Sequence, residues 1–313
     1  MKKYAHIFVS HFSEFKFLSV CCCVLLTLAS EAQQEWSSTQ YLFNLYDVNT
    51  AYAGNQLSSS FGVRYRSQWM GMEGAPETQQ FSFHTPLMKE RIGVGFKILN
   101  ESIGARTQQF AKASAAYKIL IGENTLSLGL AGGVLRQAIE WPKLSAADVQ
   151  DAQFANNTAP IITPLVDASV FYNSKKMFVG IESTSINRSA FRPDQGSLAR
   201  LYYNVNFIAG VKKRVMNDNM IQLSTLVKYS EGRMIQGELN LLYLINNRIW
   251  FGAGYRFMSG VQALGSFNIT RHFRIGLSYD FPITLLRNVN DGSAEIFLGY
   301  NLKNRSDKSI RYF

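Results

Sequence analysis

The chain has 313 residues, a net charge of +10 at pH 7 and 47% apolar residues. Its positive charges are spread singly, without a basic cluster that carries interleaved aromatic residues, which argues against nucleic acid as a partner. All three cysteines, Cys21, Cys22 and Cys23, lie near the N-terminus. A mature chain that has lost them contains neither a disulfide nor a thiolate metal site.

Residues 1–32 have the pattern of a secretory signal peptide. A basic start is followed by an apolar core, and Ser30-Glu31-Ala32 places small residues at the positions that signal peptidase reads. The apolar run is too short for a membrane anchor and polar residues follow it at once. We therefore predict an exported protein whose mature chain begins at Gln33.

Residues 33–58 are rich in tyrosine, asparagine and glycine and show no strand-like alternation. We interpret this stretch as a periplasmic or lumen-plugging segment that precedes the first strand. The remainder is predicted to divide into an outer-membrane β-barrel over residues 59–302 and a polar C-terminal tail over residues 303–313.

The predicted barrel region alternates apolar and polar residues with a period of two. The clearest example is Arg271 to Phe281, where Phe273, Leu277 and Phe281 share one face and Arg274 lies on the other. Membrane strands need this pattern because lipid contacts one face and the lumen the other. Fourteen strand candidates are residues 61–68, 78–84, 92–100, 107–117, 125–137, 165–173, 177–183, 201–214, 221–230, 236–244, 249–257, 261–269, 272–281 and 294–302.

The predicted connections differ in length on the two sides of the sheet. Those after even-numbered strands are short, whereas the three longest, residues 140–164, 184–200 and 282–293, all follow odd-numbered strands. Short periplasmic turns and long external loops are typical of an outer-membrane barrel, and a soluble β-sandwich has no reason to sort its loops in this way.

The two predicted faces also differ in charge. The apolar rows carry no charge at their centres, where an arginine or lysine costs about 2–4 kcal/mol. The opposite face carries Arg64, Arg66, Lys97, Lys112, Lys212, Lys228, Arg256, Arg274, Glu182, Glu238, Asp280 and Glu295. The sequence thus predicts an all-β fold: a transmembrane antiparallel up-and-down β-barrel of about 14 strands, located in the outer membrane and in contact with its lipid.

One motif resembles a known family. Asn49-Thr50-Ala51-Tyr52-Ala53-Gly54 resembles the N-P-A-Y-A-G signature of the PorP/SprF family, outer-membrane proteins of the Bacteroidetes type IX secretion system. The similarity continues through Arg66-Ser67-Gln68-Trp69-Met70-Gly71, and Thr50 stands where the family usually has proline. The resemblance implies a role in the export or surface attachment of particular secreted proteins, including gliding adhesins. It also implies contact with periplasmic components of the secretion machinery.

Five residues are candidate partner contacts. Trp69 and Arg66 belong to the residue types that dominate binding hot spots, although the sequence favours a structural role for this motif, with Trp69 in the interfacial girdle. Asn49, Tyr52 and Gly54 belong to the family-like motif, which lies outside every predicted strand.

No enzyme, cofactor or metal site is predicted. His84 and His272 are the only histidines of the predicted mature chain, and two histidines on distant strands make a weak metal site. Ser82 lies two residues before His84, but the chain lacks a G-x-S-x-G nucleophile elbow.

Two functions remain open from the sequence. The first is a type IX secretion accessory that is partly plugged. The second is an outer-membrane diffusion channel or porin, whose cationic inner face would favour anions. Lumen-directed Trp250, Phe297 and Leu242 predict a crowded interior, which favours the first function.

Overall fold

The structure is a computed structural model that describes residues 38–56, 58–88, 90–140, 159–190, 200–215, 219–232 and 235–302. The predicted signal peptide and the predicted polar tail lie outside the described residues. Both remain predictions.

Fourteen antiparallel strands form a closed barrel in which each strand pairs with its neighbours in sequence and β14 pairs with β1. The strands are β1 Ser60–Ser67, β2 Glu77–Leu87, β3 Ile92–Ile103, β4 Arg106–Ile121, β5 Asn124–Ile139, β6 Ile161–Asn173, β7 Met177–Thr184, β8 Asn204–Arg214, β9 Met220–Ser230, β10 Gln236–Ile245, β11 Ile249–Arg256, β12 Gly260–Asn268, β13 Phe273–Pro282 and β14 Ser293–Asn301. The predicted fold class and strand count are confirmed.

The strand ends differ from the prediction mainly at β4, β6 and β8. β6 begins at Ile161, because Pro164 near its start is accommodated in the ladder opposite Val134 instead of ending the strand. β8 begins only at Asn204. The three longest connections are residues 140–160, 185–203 and 283–292, and each follows an odd-numbered strand as predicted. Because β1 begins and β14 ends at the side of the short turns, we call that side the periplasmic rim and the other the outer rim.

Alternate side chains face lipid and lumen, as β13 illustrates. Leu277 is 58% exposed on the outside, whereas the next residue, Ser278, is 8% exposed and faces the lumen. Aromatic pairs lie on the lipid face near both rims: Phe61 and Phe83 have ring centroids 4.8 Å apart near the periplasmic rim, and Tyr279 and Phe281 are 4.6 Å apart near the outer rim.

These aromatic pairs form two girdles. Measured along β13, the two girdles are separated by about eight residues. For a tilted strand this separation corresponds to roughly 20 Å of membrane depth, which is close to the expected thickness of the apolar band, about 25 Å. Among the described residues, no helix is both long and apolar enough to cross a bilayer.

Residues 38–56 lie inside the barrel, and we call this segment the plug. It consists of three short 3-10 turns, Gln40–Phe43, Leu45–Asp47 and Thr50–Tyr52. The main buried apolar cluster joins plug residues to lumenal side chains of the wall, among them Trp250, Phe297 and Leu242. The core of the molecule therefore lies between plug and barrel, in agreement with the predicted crowded interior.

Candidate functional site

The plug begins in the outer half of the lumen, where Glu295 holds its first residues. One carboxylate oxygen of Glu295 accepts hydrogen bonds from Ser38 Oγ at 2.6 Å and from the Gln40 backbone N–H at 3.1 Å. The other accepts from the Thr39 backbone N–H at 2.9 Å. Hydrogen bonds to a buried carboxylate are among the stronger polar contacts in proteins. Glu295 is therefore the main anchor of the plug at this end.

Arg66 completes this anchor from β1. It is 2% exposed, and its guanidinium lies 3.0 Å from Glu295 and 2.6 Å from Asp280. Asp280 also accepts from Thr39 Oγ1 at 2.8 Å and from Arg256 at 3.0 Å. The buried charges thus balance one another while they bind the plug, which is the condition for tolerating ion pairs away from water.

The middle of the plug is held around Asp47. Its carboxylate accepts from Gln80 Nε2 at 2.5 Å and from Arg64 at 3.4 Å. Lys97 donates to the backbone carbonyls of Tyr46 at 2.9 Å and Asp47 at 3.2 Å. A buried carbonyl that has no partner within a short 3-10 turn needs such a donor.

The family-like motif forms the third turn of the plug. The side chain of Asn49 caps this turn by accepting from the Ala51 N–H at 3.0 Å, and its amide donates to the Val170 carbonyl at 3.2 Å. Asparagine is favoured at such a cap because its side-chain oxygen satisfies a free backbone donor. Asn49 is fully buried, so its contacts are with the protein itself.

Thr50, the departure from the family signature, makes two contacts with the wall. Its backbone N–H donates to Glu182 at 3.0 Å, and its hydroxyl lies 2.8 Å from Ser169 Oγ. Proline lacks both groups. The substitution therefore adds polar contacts between this plug and its barrel.

Tyr52 and Gly54 lie at the end of the plug that is near the periplasmic rim. The ring of Tyr52 packs edge-on against Phe171 at 5.3 Å and His84 at 5.8 Å. Gly54 has a φ of +64°, and a Cβ at this position would lie 2.8 Å from Gly93 Cα. Its N–H donates to His84 Nδ1 at 3.2 Å and its carbonyl accepts from Lys118. Both the backbone conformation and the available space require glycine here.

The barrel wall has glycines where the plug comes closest. A Cβ at Gly129 would lie 2.6 Å from the Ala51 nitrogen and 2.7 Å from its Cα, too close without a backbone shift. A Cβ at Gly93 would likewise collide with the backbone of Ala53, and one at Gly95 or Gly276 would collide with the side chain of Tyr46 or Gln40. Glycine in a strand interior often marks the close approach of another backbone. The wall is thus shaped to receive this segment.

Trp69 lies apart from the plug, in the loop between β1 and β2 at the outer rim. Its φ is +52° and its backbone N–H donates to Ser293 Oγ at 3.1 Å. The next residue, Met70, exchanges backbone hydrogen bonds of 2.8 Å with Gly292 and Asp291 of the β13–β14 loop. These bonds join the two loops into one surface, on which Leu285 is 88% exposed.

A second pair of outer loops is joined by an ion pair between Arg188 and Glu231. The hydrogen bond from Arg188 lowers the pKa of the Glu231 carboxyl below its ordinary value. The outer rim therefore carries loops that are tied to each other by specific contacts.

The five candidate contact residues thus fall into two places. Asn49, Tyr52 and Gly54 belong to the plug. Arg66 is buried in the wall and forms ion pairs with the carboxylates that hold the plug, whereas Trp69 is partly exposed at the outer rim. Their contact with a partner remains a prediction, and for the four buried residues it requires displacement of the plug.

Sequence reasoning placed Glu295, Lys97, Glu182 and Asp280 on the inner face but missed that they hold the plug. The glycines on the lumen face of the strands were the sequence feature that could have indicated the close approach of the plug. Within the described ranges, no group of three or more histidine, aspartate or glutamate side chains is arranged to hold a metal ion.

The chain is similar to one protein family. The profile of the family described as type IX secretion system membrane protein PorP/SprF matches residues 30–300. Among individual curated proteins, none is significantly similar to the chain.

Solved structures with some similarity include the Ralstonia pickettii toluene transporter TbuX, at 8% identity and a TM-score of 0.48, with 85% of this chain and 94% of that chain covered. The Acinetobacter baumannii outer membrane protein Omp33 has 7% identity and a TM-score of 0.47, with 79% and 100% covered. The KdgM porin has 8% identity and a TM-score of 0.39, with 78% and 99% covered.

Proposed function

Because the chain belongs to the PorP/SprF family of type IX secretion system membrane proteins and is a β-barrel of the outer membrane, we propose that it assists the export or surface attachment of particular secreted proteins. Adhesins, including those used in gliding, are the class of secreted protein that we expect. Components of the secretion machinery in the periplasm are its expected partners on the other side of the membrane.

The occupied lumen is the observation that carries this proposal. The plug is buried among wall side chains, and its outer, middle and inner parts are each held by charged groups of the wall. A barrel whose lumen is filled in this way is poorly suited to the passage of a folded protein or to the diffusion of solutes. It is well suited to act as a rigid anchor that presents loops outside and turns inside.

The outer rim is the expected site of contact with the secreted protein. The joined β1–β2 and β13–β14 loops present Trp69 and Leu285 on a surface whose backbone is fixed by hydrogen bonds. Preorganised loops with exposed aromatic and aliphatic side chains reduce the ordering cost of binding.

Surface proteomics of a deletion strain tests the proposal. We expect loss of the protein to remove one or more type IX substrates from the cell surface, with accumulation in the periplasm or the medium, and a plasmid copy to restore them. An unchanged set of surface proteins in the deletion strain would overturn the proposal.

Electrical recording distinguishes the anchor from the diffusion channel. Purified protein in planar bilayers is expected to show no conductance of the size of an open porin, because the plug fills the lumen. Porin-sized conductance of the intact protein, together with normal surface proteins in the deletion strain, would favour the channel.

A further inference from the structure

The periplasmic rim carries an excess of exposed positive charge. Seven exposed cations lie on its turns and strand ends: Arg91, Lys175, Lys176, Lys213, Arg214, Arg248 and Arg271. The described acids at the same rim are Glu90 and Glu123. We call the seven cations the basic collar.

Among the described residues, the cations of the collar have almost no ion-pair partners. Lys175 contacts Glu123 at 2.8 Å, but both side chains are about three-quarters exposed, so this pair is weak. In the part of the chain that the structure describes, no ion pair is seen for the other six cations. This differs from the lumenal arginines, whose charges are balanced by buried carboxylates.

The cations are distributed around the circumference of the barrel. They occupy the connections after β2, β6, β10 and β12 and the end of β8, so they are not confined to one arc. They also lie just beyond the periplasmic aromatic girdle, where Phe61, Phe83 and Tyr300 pack together on the lipid face. Membrane proteins place such aromatic rings at the level of the lipid headgroups.

We propose that the basic collar binds the phosphate groups of anionic phospholipids in the periplasmic leaflet of the outer membrane. Lipid surrounds a barrel on all sides, which matches a collar spread over five of the periplasmic connections and strand ends, whereas a protein partner docks on one arc. Exposed lysine and arginine side chains next to the headgroup layer are attracted by its negative surface potential. The collar would fix the depth of the barrel and retain anionic lipid around it, independently of the cargo at the outer rim.

Native mass spectrometry of the full mature protein tests this proposal. The protein is released from mixed micelles that contain equal amounts of phosphatidylglycerol and phosphatidylcholine, and the ratio of the two bound lipids is measured. The collar variant combines Lys213→Gln, Arg214→Gln, Arg248→Gln and Arg271→Gln. The matched control removes four exposed arginines of the outer rim through Arg136→Gln, Arg188→Gln, Arg200→Gln and Arg287→Gln.

We expect wild type and control to retain phosphatidylglycerol preferentially, and the collar variant to lose this preference by about tenfold or more, given the attraction of each cation. Equal preference in all three proteins would overturn the proposal. So would a collar variant that keeps phosphatidylglycerol but no longer captures an acidic periplasmic protein, because the collar would then be a protein-docking surface.

Wild-type protein provides a second measurement that does not depend on the folding of any variant. At about 1 M salt the screening length falls to about 3 Å, so a preference based on surface charge should disappear. Preference for phosphatidylglycerol that persists at this salt concentration would contradict the collar as its cause.

Discussion

The fit between plug and wall can be tested with two glycines of one strand. Gly129 faces the plug, and a Cβ there would lie 2.6 Å from the Ala51 nitrogen, whereas Gly132 faces lipid and has open space around the same position. Gly129→Ala should weaken plug docking, and Gly132→Ala provides the matched control in the same strand.

The expected magnitude follows from the geometry. Overpacking by one methyl against backbone that must shift costs about 1–3 kcal/mol. Replacing glycine by alanine in a strand interior stabilises the strand by roughly 0.5–1 kcal/mol, and this gain is common to both variants. The difference between the variants is therefore the docking penalty, which corresponds to about a 5- to 150-fold increase in the open fraction of the plug.

Hydrogen exchange measured by mass spectrometry is the appropriate assay. Amides of residues 38–56 should exchange faster in Gly129→Ala by the factor given above, provided that closing of the plug is fast relative to chemical exchange of the open amides, while amides of β5 serve as an internal reference. Equal exchange of the plug in the two variants would refute the close fit. Faster exchange throughout the barrel of Gly129→Ala would show that the substitution damages the wall and not the docking of the plug.

Four further predictions concern the membrane, the topology and the candidate contacts. Leu277→Arg should reduce the fraction of protein in the outer membrane that is folded and shows heat-modifiable mobility, because an arginine facing lipid costs about 2–4 kcal/mol. A normal folded fraction would contradict the assigned lipid face, and Leu277→Met is the control. A cysteine at Glu73 should react with an impermeant thiol reagent on whole cells, whereas one at Glu123 should not, and the reverse pattern would invert the topology. Arg66→Ala should lower the melting temperature, since breaking a buried ion pair costs about 3–5 kcal/mol. Trp69→Ala should leave the melting temperature unchanged and reduce surface attachment of the secreted protein, and normal attachment would exclude it as a contact.

The barrel could be predicted because each strand carries its own signal. Leu277 and Ser278 are neighbours in sequence and face opposite environments, and this alternation recurs in every strand. Lipid imposes the alternation locally, so no knowledge of distant contacts is needed. Ends of strands were less certain where the ladder continues beyond the apolar band, as at Ile161 of β6.

The docking of the plug could not be predicted in the same way. Alternation placed Lys97 on the inner face but assigned it no partner, whereas in the structure it donates to the carbonyls of Tyr46 and Asp47, about 50 residues away in sequence. Short 3-10 turns have no periodicity that indicates which face packs against which strand. The family-like motif identified the segment, but only the three-dimensional arrangement assigns its residues to partners in the wall.

The contacts of Glu295 have a consequence for the order of assembly. Ser38 and Thr39 precede Glu295 by 257 and 256 residues, so the start of the plug cannot reach its final partner until the last strand has been delivered. Contacts of such high sequence separation form late in folding. Glu295 also pairs with Arg64 and Arg66 of β1, across the junction where the first and last strands meet. The N-terminal segment thus spans the junction from within, and a chain released before β14 is in place would expose the segment and leave both arginines without Glu295 as a partner while the barrel is being inserted.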